Sequence, residues 1–79
     1  MAFIFARKIL GMKYSIGIKG LPEYGLNNGM ILRDPKERDW FNSLESVLLY
    51  IDENLSLLNA DLSILGLENV ELNILKAED

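Results

Sequence analysis

The sequence predicts an α+β domain, a small antiparallel or mixed β-sheet of three to four strands packed by one main amphipathic helix and a short second helix, in the order ββααβ. Three observations carry that expectation. Residues 12–19 alternate between apolar and other residues, the period of a half-buried strand. From Trp40 onward apolar residues recur at helical spacing. Residues 70–74 then alternate again.

In the first strand Met12, Tyr14, Ile16 and Ile18 share one side, with Lys13, Ser15, Gly17 and Lys19 on the other. Gly20, Pro22, Gly25 and Asn27-Asn28-Gly29 follow as loop and turn residues, and Asn-Gly is a strong hairpin turn. Met30-Ile31-Leu32-Arg33 reads as a second strand returning on the first. Asp34-Pro35-Lys36-Glu37 marks a helix start: an acceptor for the free amides, a proline where no amide is needed, and a capping-box acid.

The helix that follows places Trp40, Phe41, Leu44, Val47, Leu48, Ile51 and Leu55 inside a stripe about 120° wide. Leu58, Leu62 and Leu65 continue it. An unbroken helix over residues 35–65 would be roughly 46 Å long at 1.5 Å per residue. A compact chain of this length has a radius of gyration of about 12 Å. A break is therefore expected within residues 54–59, with a short second helix ending at Leu65 and Gly66-Leu67 as a left-handed cap. The rival reading makes residues 62–65 a strand and 66–69 a hairpin turn. Residues 70–74 form the last strand and 76–79 a polar tail.

At 79 residues the chain is long enough for one core only. Residues 12–79 are read as that single domain, and residues 1–11 as an N-terminal extension or an accessory strand. The apolar start is interrupted at Arg7 and Lys8, which does not suit a secretory signal, and no run approaches a membrane span of about 18 residues. The expected location is cytoplasmic, with no membrane association.

Cysteine and histidine are absent, so there is no thiol nucleophile, disulfide, imidazole base or ordinary zinc site. Asp52, Asn54 and Ser56 fit the first positions of a calcium loop, but Leu57 replaces its glycine and Ser63 its bidentate glutamate. No phosphate-binding glycine loop occurs. No catalytic residue, metal ligand or cofactor is predicted, and the chain is read as a non-enzyme.

The net charge of −4 is a cancellation. Residues 1–38 carry seven basic and three acidic groups, residues 39–79 one basic and nine acidic. Leu49 lies off the main helical stripe, about 140° from its centre, and Tyr50 lies off it on another side. With the acids Asp39, Glu45, Asp52 and Glu53 they form the predicted partner-binding set. The functional expectation is a small protein-interaction module. It would bind and block a larger host protein, as an accessory or inhibitor protein of a phage or mobile element does, or it would self-associate as a structural protein. The alternative is a nucleic-acid-binding module using Arg7, Lys8, Lys13, Lys19, Arg33, Lys36 and Arg38. Tyr14 points away from the strand lysines, which argues against the interleaved aromatic and basic surface of single-strand binders.

Overall fold

The alternating segment forms strand β1 (Met12–Ile18) in the computed structural model, which describes residues 11–78. It is followed by β2 (Leu21–Asn27), β3 (Met30–Arg33), helix α1 (Leu44–Glu53), helix α2 (Leu55–Ile64) and β4 (Leu72–Glu78). The predicted α+β class is therefore the observed one. The expectation for residues 1–10, an extension or accessory strand, lies outside the described residues.

The four strands make one antiparallel sheet in the order β3-β2-β1-β4. Along one side β1 pairs with β4 over its whole length, from Met12 opposite Glu78 to Ile18 opposite Leu72. Along the other it meets β2 only at Gly17–Gly25 and Ile18–Leu21, with an irregularity between the two pairs. Beyond them the strands diverge, and residues 39–41 fill the gap. Phe41 exchanges both backbone hydrogen bonds with Tyr14 (2.9 and 2.7 Å), while the Asp39 amide donates to the Leu26 carbonyl at 2.8 Å. Buried Ser15 completes the junction by donating its Oγ hydrogen to the Asp39 carbonyl at 2.8 Å.

Both helices cross the same face, α1 over β1 and α2 over β3. Beneath them lie the buried side chains Ile16, Ile18, Leu26, Ile31, Val47, Leu58 and Leu62. Each stabilises the fold by about 1.5–3 kcal/mol relative to an exposed position. At the helix junction Asn54 departs from helical geometry (φ −119°, ψ 20°), yet its amide still reaches Tyr50 O and its carbonyl still accepts from Leu58. The expected break is a one-residue bend. At the far end Gly66 is left-handed (φ 75°) and the Leu67 amide closes on Leu62 O at 2.7 Å, the anticipated cap.

Three element boundaries differ from the sequence reading. Residues 21–27 are a strand rather than a loop, so Met30–Arg33 pairs with β2 and not with β1. The Asn28-Gly29 turn has positive φ at both residues (50° and 77°), the hairpin geometry those residues favour, but it joins β2 to β3. The helix begins at Leu44 and not at Pro35. Asp34 is itself left-handed (φ 51°), unlike a helix N-cap, and Ser43 takes the capping role by accepting from the Ser46 amide at 3.1 Å. Finally, β4 starts at Leu72 and takes in Lys76, Ala77 and Glu78 of the supposed tail, because β1 offers a ladder seven residues long.

The β2–β3 turn is held from outside. Asp39 receives the Asn28 amide on Oδ1 (2.8 Å) and the Gly29 amide on Oδ2 (2.7 Å), and the Asn27 side chain donates to Glu37 O at 2.7 Å. Removing the acceptor by Asp39→Ala should cost about 1–3 kcal/mol in urea unfolding, with Asp39→Asn losing less. An unchanged midpoint in the alanine variant would show that the carboxylate does not hold the hairpin.

Candidate interaction surface

Within α1, Val47 alone is buried and marks the side facing the sheet. At 100° per residue Tyr50 lies about 60° to one flank of it, Leu44 and Leu48 about 60–100° to the other, and Leu49 nearly opposite. In α2 the buried pair Leu58 and Leu62 marks the inner side, and Leu57 and Ile64 lie well away from it. Leu49, Leu57 and Ile64 are 57, 66 and 84 % exposed, the three most exposed large apolar side chains among the described residues.

They do not stand singly. Glu45, Leu49, Glu53 and Leu57 follow one another at four-residue intervals, exposed acids and leucines alternating across the bend. Ile64 carries the apolar surface about two helical turns beyond Leu57. No Lys or Arg occurs in either helix.

The predicted site residues separate into two groups. Leu49, Glu45, Asp52 and Glu53 are exposed on α1, as a docking surface requires. Asp39 and Tyr50 are drawn into the fold. The Tyr50 ring packs against Phe41 with centroids 5.2 Å apart at 57°, on the side of the β2–β3 turn, and both Asp39 oxygens are occupied by turn amides. The predicted helical stripe is also only partly core. Phe41, Ile51 and Val47 pack inward, whereas Leu44, Leu48 and Leu55 remain about half exposed and Trp40 leaves the helix altogether. Leu57 and Ile64 escape a stripe-based reading of the sequence, although the apolar residues of 55–65 (Leu55, Leu57, Leu58, Leu62, Ile64 and Leu65) exceed what one helical stripe can hold.

Beside Tyr50 lies an acidic pair absent from the sequence reading. Asp61 accepts the Ile31 amide at 3.3 Å, and Asp39 stands across from it. Burial pushes the Tyr50 phenol above its ordinary value, and the charges of Asp39 and Asp61 push it further the same way. Both carboxylates are engaged with backbone amides, so the trio holds the hairpin and the β3 edge. Among the described residues no group of three or more metal-ligating side chains is placed to hold an ion.

The opposite face of the sheet carries Lys13 and Arg38, while Arg33 and Lys76 pair with Tyr24 and Tyr14 on the helix side. The Lys13 ammonium sits 4.5 Å from the Trp40 ring centroid, so an aromatic does accompany a strand lysine once Trp40 is outside the helix. Arg38 donates to Tyr24 O (3.2 Å) and Pro22 O (3.4 Å), lying over Gly25, where any Cβ would overlap its guanidinium. Lys36 is exposed beside it. Lys19 faces Glu71 at 3.6 Å, and Arg33 faces Asp34 at 3.9 Å. Arg7 and Lys8 lie outside the described residues.

No family model matches the chain, and neither a curated protein nor a solved structure is detectably similar to it. Among the described residues no helix is long and apolar enough to cross a membrane.

The Tyr50 environment gives a pH signature. A phenol held neutral in the folded state leaves stability intact below the unfolded value of 10.0. Stability then falls as pH rises past that value, because the unfolded chain releases its proton first. In urea unfolding measured from about pH 9 to about pH 11, Tyr50→Phe should therefore lose less stability than the parent chain. Parallel declines in the two proteins would refute this linkage.

Proposed function

We propose that the protein is a small non-catalytic interaction module that docks onto a larger protein through the outward ridge of α1 and α2. One observation carries this reading: the three most exposed large apolar side chains among the described residues, Leu49, Leu57 and Ile64, lie on the side of the helices turned from the sheet. Isolated exposed leucines are ordinary, but a run of them along one helical ridge is an anchor set of the helix-in-groove type. The interleaved acids Glu45 and Glu53 define the complement, an apolar groove with basic side chains along its rim. Occupying such a groove excludes the partner's other ligands, which is how an accessory or inhibitor protein acts.

The occupied carboxylates of Asp39 and Asp61 support binding over catalysis, since a general acid or base must be free to reach a substrate. The basic groups support a protein partner over nucleic acid. Arg38 is committed to backbone carbonyls, and Lys19 and Arg33 sit beside acids.

The test is affinity capture from the cell that makes the protein, using the parent chain and a Leu49→Ser/Leu57→Ser/Ile64→Ser variant. Because these side chains are exposed, the variant should keep its circular dichroism and its unfolding free energy within about 1 kcal/mol. A protein recovered by the parent should be lost or reduced at least about tenfold with the variant, the loss of roughly 1.4 kcal/mol or more of binding. Identical recovery by both would reject the ridge as the docking surface.

A further inference from the structure

The two edges of the sheet are treated differently. β3 is only four residues long, and Asp61 caps its outward Ile31 amide. β4 is seven residues long and free of proline. Its hydrogen-bond phase follows from two contacts. Tyr14 turns its amide and carbonyl toward Phe41, and the Lys19 amide reaches Glu71 O at 2.9 Å. Residues 71, 73, 75 and 77 therefore face β1, and the amides and carbonyls of Leu72, Ile74, Lys76 and Glu78 point outward. No partner meets these outward groups among the described residues.

Among the described residues the cover above β4 is incomplete on the same side. The helices pack on β1 and β3, and neither makes a comparable contact with β4. Leu72 and Ile74 are accordingly only partly buried. Leu44 and Leu48, each about half exposed, lie on the flank of α1 away from Tyr50, and α1 crosses β1, the neighbour of β4.

We infer that the β4 edge and this leucine flank are the interface of a two-fold homodimer, in which two β4 strands pair antiparallel into one eight-stranded sheet. A second copy fits because an antiparallel edge is complementary to itself. Centred on Leu75, the pairing sets Ile74 against the second copy's Lys76 and Leu72 against its Glu78, so within Leu72–Glu78 no two like charges are directly opposed. Strand pairing alone is marginal in water. The two α1 helices then lie about three strand spacings apart, roughly 14 Å, with Leu44 and Leu48 turned toward the seam and able to supply apolar burial. This surface is distinct from the outward ridge.

Sedimentation equilibrium of the full chain, from micromolar to submillimolar concentration, should approach twice the 9.0 kDa chain mass. Lys76→Pro removes one outward amide at a position where an edge strand accepts proline. Leu48→Glu places a charge on the flank, and both should weaken dimerisation at least tenfold while circular dichroism stays unchanged. Leu57→Ser, on the outward ridge, should leave the dimer intact. A single-chain mass at every concentration overturns the inference, as does a dimer that neither Lys76→Pro nor Leu48→Glu weakens.

Discussion

Where β1 and β2 diverge beyond Gly17 and Gly25, each strand would present unpaired amides and carbonyls to a gap inside the sheet. Buried groups of this kind must find partners, and residues 39–41 supply them. Phe41 answers Tyr14, the Asp39 amide answers Leu26, and the Ser15 hydroxyl answers the Asp39 carbonyl. The Asp39 side chain extends the same wedge to the β2–β3 turn, where two amides converge on one carboxylate. The two halves of the sheet are thus joined through a segment that is neither strand nor helix.

The position of the wedge decides what lies on each face. Residues 38–41 alternate across the sheet, so Phe41 packs with Tyr50 under α1 while Arg38 and Trp40 emerge on the other side. Gly25 leaves the space that Arg38 fills, and a Cβ at Gly17 would press on the Leu75 side chain at 3.3 Å, so the glycines in these strands accommodate side chains from neighbouring segments. Because Phe41 already belongs to the sheet, α1 starts only at Leu44, and its bend at Asn54 carries α2 out over β3. The helices cover three strands and leave the fourth partly bare.

Among the described residues seven aliphatic side chains are buried, while several leucines stay outside. Small domains with limited internal burial commonly gain stability by associating. Here the surplus falls on two separate surfaces. The ridge of Leu49, Leu57 and Ile64 faces away from the sheet and alternates with acids, which suits a larger partner with a basic rim. The α1 flank of Leu44 and Leu48 lies above β1, beside a β4 edge whose outward groups meet no partner among the described residues, which suits a second copy. The first surface offers side-chain recognition, and the second adds backbone hydrogen bonding.

Local pattern was enough for the α+β class, β1, the Asn28-Gly29 turn, the bend at Asn54 and the Gly66 cap, because each rests on periodicity or a short-range backbone preference written in adjacent residues. It was also enough to separate Leu49 from the core and to expose the division between a basic and an acidic half. Strand β2 was hidden, since Pro22, Gly25 and Asn27 carry loop preferences that only pairing with β3 and the packing of Arg38 override. Pro35 and Glu37 resembled a helix start, but hydrogen bonds to residues 14 and 26, distant in sequence, drew the following segment into the sheet. Contacts distant in sequence also engage the candidate surface residues Asp39 and Tyr50: the Asn28 and Gly29 amides meet the Asp39 carboxylate, and the Phe41 ring meets Tyr50. The length and phase of β4 were likewise decided by its neighbour, since a strand's register belongs to the pair and not to either sequence alone.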